Sequence, residues 1–168
     1  MFVGGPNSRT DFHIEQGSEL FFQLRGGMEL PTIQVGRSSG CCSVSQRSQA
    51  DLAACACDYL FFALPQAGKL KLVKIPEGHF FVLPPRIPHS PQRPEENSLG
   101  LVIERARVTG EMDAMRWYTD FATCNELLYE RWFRCEDLAR DLPPIVKAFK
   151  ASHECATGQR RAPCPILN

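Results

Sequence analysis

An excess of charge of either sign is what this chain most plainly lacks, because its nineteen Lys and Arg are cancelled by nineteen Asp and Glu. That balance argues against the basic surface of a nucleic-acid binder and against an acidic solvating tail, and it points to a small partner instead. Long apolar runs are missing too. Nothing approaches the roughly 18 consecutive apolar residues that cross a bilayer, and the opening MFVGGPNSRTDF has no basic stretch ahead of an apolar one. The expectation is a soluble, cytoplasmic protein with no membrane partner.

The eight cysteines contain no CxxC pair: they stand at 41, 42, 55, 57, 124, 135, 155 and 164. Such irregular spacing speaks against a zinc ribbon or a thioredoxin-type site, and the missing secretory signal speaks against a disulfide framework. Free thiols are expected. Histidine is scarce, with four in 168 residues, so each one can be weighed individually.

A chain of this length that is 43% hydrophobic suits one globular domain over residues 1–168 with a substantial core. ELFFQL (Glu19 to Leu24) followed by Arg25-Gly26-Gly27 predicts a strand, a turn and a further strand. KLKLVKI (Lys69 to Ile75), HFFVL (His79 to Leu83) and the run from Ser98 to Val108 predict three more. Short strands punctuated by Gly and Pro favour an antiparallel sandwich or barrel. Toward the C-terminus the apolar spacing looks helical from Asp113 to Trp117, from Cys124 to Phe133 and from Pro144 to Lys150, which predicts a helical segment over 113–150 packed on the barrel. Residues 35–66 are Ser- and Cys-rich at first and end in the apolar DYLFFAL. So long a connection between strands reads as a poorly ordered insertion.

The chemistry concentrates in HIEQGSELFFQLRG. On a single strand, His13, Glu15 and Glu19 would share one face, because residues an even number apart do so. The other reading is a solvent-facing polar row. A third metal ligand is available in EGHFFVLPPRIPHSPQR, where His89 follows a proline-punctuated turn. His13, Glu19 and His89 would form a two-histidine, one-carboxylate set whose open positions and borderline ligands suit Fe(II). His79 and His153 compete as ligands, but one opens a strand near lysines and the other sits in a polar tail.

Gly78, Pro84, Arg86, His89 and Arg93 follow the spacing of the second cupin motif, with arginines in place of its usual glycine and asparagine. His13 and Glu19 resemble the first motif, with Glu15 where a second histidine is usual. The wording FVGGPNSRTDFHIEQGSELFFQL, IPEGHFFVLPPRIPHSPQRP, GLVIER and LLYERWFRCEDL resembles the 3-hydroxyanthranilate 3,4-dioxygenase family over most of the chain outside the insertion.

The resemblance implies a mainly β fold: a cupin (double-stranded β-helix, or jelly-roll) barrel with short C-terminal helices. It implies Fe(II) held by His13, Glu19 and His89, with Arg9, Arg93 and Glu104 as catalytic residues that hold 3-hydroxyanthranilate and O2. The reaction would be extradiol-type ring opening to 2-amino-3-carboxymuconate semialdehyde, on the kynurenine route to quinolinate and NAD. A guanidinium fork suits the substrate carboxylate, and Glu104 can take a hydrogen bond from the ring amine or a proton from the phenol.

Against the family pattern the chain reads as N-terminally short, as interrupted by residues 35–66, and as ending near the close of a first cupin half. Cys135, Cys155 and Cys164 do not reproduce the paired CxxC motifs of bacterial relatives, so one iron is expected. Two other readings stay open, a non-catalytic cupin that binds metal or a small aromatic acid and an inactive truncated form. Monomer and homodimer are equally open.

Overall fold

The structure is a computed structural model that describes residues 1–34 and 69–161; the expected insertion at 35–66 therefore lies outside the described residues. The described strands are β1 (Phe2–Gly4), β2 (Phe12–Ile14), β3 (Glu19–Arg25), β4 (Met28–Gln34), β5 (Lys69–Ile75), β6 (Phe80–Leu83), β7 (Leu99–Glu104), β8 (Asp113–Tyr118) and β9 (Leu127–Phe133). Two helices follow, α1 (Leu138–Lys150) and α2 (His153–Thr157). No helix among the described residues is long and apolar enough to cross a membrane.

All strand pairing is antiparallel. One sheet runs β1-β7-β3-β6, with β3 central. In β3 the side chains alternate, with Glu19, Phe21 and Gln23 buried and Leu20 and Phe22 half-buried, as a strand with one face on a core requires. The opposing layer is built from β2-β8-β9 and β4-β5. Residues 88–93 stitch these two groups together through backbone bonds. His13 and His89 exchange N–H···O bonds of 2.8 and 3.0 Å, Asn7 and Arg93 do the same at 2.8 and 3.0 Å, and Ser90 donates to the Pro31 carbonyl at 2.9 Å.

Phe21, Leu83 and Val102 of the first layer pack against Met28, Leu30 and Ile75 of the second and form the inter-sheet core. The expected mainly β, cupin-like fold with short C-terminal helices is what the chain adopts.

Two expectations are corrected. His13 and Glu19 do not share a strand: they sit on β2 and β3, in opposite layers, because Gln16 to Ser18 turn the chain from one sheet to the other. The helices expected from Asp113 to Trp117 and from Cys124 to Phe133 are the strands β8 and β9. Windows so short cannot separate a period of 3.6 from a period of 2, and residues such as Trp117, Tyr118, Tyr129, Trp132 and Phe133 favour a pleated, half-buried surface.

Only the third expected helix exists, and it begins earlier than Pro144. Asp137 caps it by accepting from the Ala139 and Arg140 amides at 2.8 and 3.2 Å, which leaves Pro143 and Pro144 inside the helix. Helix α1 packs through Phe149, with Leu142, Ile145 and Val146 alongside, on Met115, Trp117 and Leu128. Phe149 stacks on Trp117 with ring centroids 4.3 Å apart.

Candidate functional site

The antiparallel register places the site. His13 and His89 are direct cross-strand partners, so their rings stand side by side with centroids 5.5 Å apart. From the opposite layer, Glu19 and its partner Glu104 on β7 lie across from them. The donor atoms of His13, Glu19 and His89 all lie within 4.8 Å of one another, and all three residues are buried. A histidine from β2, its bridge partner His89 and a carboxylate from the opposite layer thus meet between the layers.

The hydrogen bonds around these rings fix their orientation. His89 Nδ1 is 2.9 Å from the Ile87 carbonyl, which leaves Nε2 directed at Glu19 Oε1, 3.0 Å away. His13 Nε2 is 2.7 Å from Asp113 Oδ2, which leaves Nδ1 as that ring's open nitrogen. Burial opposes ionisation of Glu19, but the adjacent His89 outweighs it and holds the carboxyl below its ordinary range. The same contact raises His89, against the opposing effect of its burial. A buried pair of imidazoles with one ionised carboxylate and hydrogen-bonded outer nitrogens has the donor chemistry of a transition-metal site, so the residues present fit a metal ion.

Beside these donors lies a cavity of about 140 Å³. Its walls include Arg9, His13, Glu19, His89 and Arg93, together with Val3, Phe21, Pro91 and Val102 from the sheets and Leu138, Ala139 and Leu142 from α1. This is smaller than the pockets that take drug-sized molecules and suits a single-ring ligand.

Arg93 is 1% exposed, its Nε has no hydrogen-bond partner, and Nη2 reaches only Met28 Sδ at 3.9 Å. No carboxylate among the described residues pairs with it. Burial, followed by the positive charge of Arg9, pushes its pKa down. A buried, underpaired guanidinium beside a second one attracts an anion such as a carboxylate. Arg9 is held by Asp11 through Nε at 3.2 Å and through Nη2, and its backbone is clasped by the Gln92 amide at 2.8 Å on both sides.

The sequence-predicted residues therefore converge with one difference. His13, Glu19, His89, Arg9 and Arg93 line one cavity, whereas Glu104 stands next to Glu19 and is not among the lining residues. Glu104 instead pairs with Arg107 at 3.0 Å. Glu15 is buried beside it, with Oε2 3.5 Å from Arg107 Nη2. Burial, then Glu104 and Glu19, pushes its pKa up to about 9. His79 and His153 are exposed and outside the cluster.

Sequence reasoning missed Asp11, Gln92, Arg107 and Asp113. Asp11 was within reach as an acid two residues from Arg9, but Asp113 lies 100 residues from the ring it holds and leaves no local signal.

A family model described as 3-hydroxyanthranilic acid dioxygenase matches residues 1–46 and 59–150. A protein named 3-hydroxyanthranilate 3,4-dioxygenase from Danio rerio is 43% identical over 166 residues, covering 99% of this chain and 46% of that protein. Its namesake from Xenopus tropicalis is 40% identical over 99% of this chain and 47% of its own length, and the one from Homo sapiens is 37% identical over 95% and 43%. The chain spans less than half the length of these relatives. With the family model matching most of its residues, the chain belongs to the 3-hydroxyanthranilic acid dioxygenase family.

Proposed function

We propose that this chain binds Fe(II) through His13, Glu19 and His89 and opens the ring of 3-hydroxyanthranilate with O2, giving 2-amino-3-carboxymuconate semialdehyde on the kynurenine route to quinolinate and NAD. The observation that carries this reading is the junction, in one small cavity, of a two-histidine, one-carboxylate cluster with the buried and underpaired Arg93. The names of the relatives and the family match support the same substrate.

A bound ferrous ion would supply Lewis acidity and one-electron chemistry toward O2. The remaining work falls to the chain's own side chains. Arg93 and Arg9 take the substrate carboxylate and thereby set the ring's orientation beside His13, Glu19 and His89. Phe21, Val102 and the α1 residues Leu138 and Leu142 give the ring an apolar wall and exclude water. In this reading Glu104, held by Arg107 next to Glu19, serves as the carboxylate that accepts the phenol proton or a hydrogen bond from the amine.

The test is anaerobic purification with Fe(II), followed by addition of 3-hydroxyanthranilate and air. Oxygen uptake is recorded together with the absorbance of the ring-opened product. Stoichiometric uptake with product formation is expected. Arg93→Ala should retain its iron and lose about 10- to 100-fold in kcat/KM, the scale of a lost charged hydrogen bond. A folded, iron-loaded chain that consumes no oxygen would reduce the reading to a metal-binding cupin.

A further inference from the structure

One residue outside the cavity grips both halves of the site. Arg107 Nη2 donates to Asp113 Oδ2 at 2.7 Å and Nε donates to Asp113 Oδ1 at 3.2 Å, a two-pronged hold on one carboxylate. The Oδ2 atom so held is the one 2.7 Å from His13 Nε2. The same guanidinium reaches Glu104 through Nη1 at 3.0 Å and Nη2 at 3.3 Å. Asp113 is fully buried and the Arg107 side chain is only 10% exposed, so solvent offers little competition. A surface salt bridge between two mobile side chains would have neither property.

The sheets explain why the arrangement is stiff. Asp113 opens β8, whose next residues pair with β2 in the register Ala114 to Ile14, Met115 to His13 and Arg116 to Phe12. Its carboxylate is therefore carried by the strand that neighbours His13. Arg107 stands at the start of the connection from β7 to β8, three residues beyond Glu104. It bridges the edge of one layer to the other.

Resting on the metal reading above, we propose that Arg107 and Asp113 are positioning residues. Asp113, locked by Arg107, keeps the proton of His13 on Nε2 and so presents Nδ1 to the metal, while the same Arg107 fixes Glu104 beside Glu19. A carboxylate behind a ligating imidazole orients the ring and strengthens it as a donor, and losing such a partner costs 10- to 100-fold in metal affinity. Arg107 ties the aim of a metal ligand to the placement of the acid–base carboxylate.

The experiment uses the full chain with Co(II) alone as probe. Affinity is read from the visible absorption of the bound ion, and the His13 tautomer from ring-nitrogen NMR of the metal-free protein. Wild type should show His13 protonated at Nε2. Asp113→Ala should bind Co(II) about 10- to 100-fold more weakly and lose that single tautomer. Asp113→Asn keeps an oxygen that accepts the ring N–H, so it should hold the tautomer and recover part of the affinity. Arg107→Lys keeps a cation without the fork and should fall between wild type and Asp113→Ala.

A folded Asp113→Ala protein with wild-type affinity and an unchanged tautomer overturns the inference. Should that variant fail to fold, unchanged Co(II) affinity in Arg107→Lys overturns it instead. A folded wild type that binds no Co(II) sinks the metal reading and this inference together. Normal binding that is lost in the variants, in a chain that never consumes oxygen, leaves the inference standing and sinks only the proposed activity.

Discussion

Single side chains show how closely the corner around Arg93 is packed. Gly100 of β7 lies opposite Gln23 of β3, and a Cβ built on it would come 2.2 Å from Gln23 Oε1 and 2.9 Å from Arg93 Nη2. Its φ is ordinary, so the need for glycine here is one of space: the Arg93 guanidinium and the Gln23 amide fill the room a methyl would take. Gly100→Ala should cost about 1–3 kcal/mol by overpacking and should weaken 3-hydroxyanthranilate binding through the displaced Arg93. Urea unfolding and ligand titration on the same sample would check both. A variant as stable as wild type with full affinity would show that Arg93 is not wedged there. His13, Glu19 and His89 were legible as a candidate set from residue chemistry and spacing, and Arg9 and Arg93 only through the family resemblance, whereas the need for Gly100 was not legible, since it comes from side chains on two other segments.

Among the elements, α1 has the most direct bearing on the cavity. Its first turn is secured by Asp137, while Asp141 accepts from the Glu136 and Asp137 amides at 2.8 and 3.0 Å. Bonds from Arg140 and these amides hold the Asp141 carboxyl well below its usual range. Leu138 and Leu142, in the turns so secured, line the cavity. Asp137→Ala should therefore cost about 1 kcal/mol and loosen the cavity wall. Hydrogen exchange should quicken in the amides of Ala139 and Arg140 before it does in β3, and equal protection in the variant and wild type would contradict the cap's role.

The same scale shows where local patterns sufficed. The β5 strand was readable from KLKLVKI to the residue, and β3 and β6 nearly so, because Gly and Pro turns bound each one. The pair β8 and β9 was misread as helix because adjacent apolar residues such as Leu127 and Leu128 mimic a helical face when the partner strand is unknown. The start of α1 was misplaced because helical apolar spacing was read only from Pro144 onward, whereas the capping carboxylate six residues before Pro143 decides the boundary.

For the molecule as a whole, folding removes two of the described thiols from solvent. Cys124 and Cys135 are buried free thiols, while Cys155 is exposed on α2. Burial first, then the charge of Asp120, pushes the Cys124 thiol up to about 11. Burial, then Asp113, pushes Cys135 up to about 12. In each case the fold favours the protonated form, so the folded chain binds more protons than the unfolded one above the unfolded thiol value of 9.0. Stability from these groups is fully present below that pH and is lost as pH rises toward 11 to 12. A falling urea midpoint across that range is expected, and its absence in Cys124→Ser and Cys135→Ser would assign it. At pH 8, alkylation mapped by peptide should reach Cys155 in the folded chain and the two buried thiols only in denaturant. Native labelling of Cys135 as fast as Cys155 would refute the burial argument.

What the amino-acid sequence determined on its own was the class of fold and a candidate metal-ligand set. Both are recorded locally, in turn signals, in strand-length apolar runs and in the spacing of His13, Glu19 and His89, while Arg9, Arg93 and Glu104 came with the family resemblance. The tertiary structure decided how those residues meet. It put His13 and Glu19 on opposite sheets rather than on one strand face, set Glu104 next to Glu19 but not among the cavity-lining residues, and brought Asp113 across 100 residues to the back of His13. Contacts between layers depend on strand order and register, which are set by the packing of the whole core, and no stretch of a dozen residues contains that information.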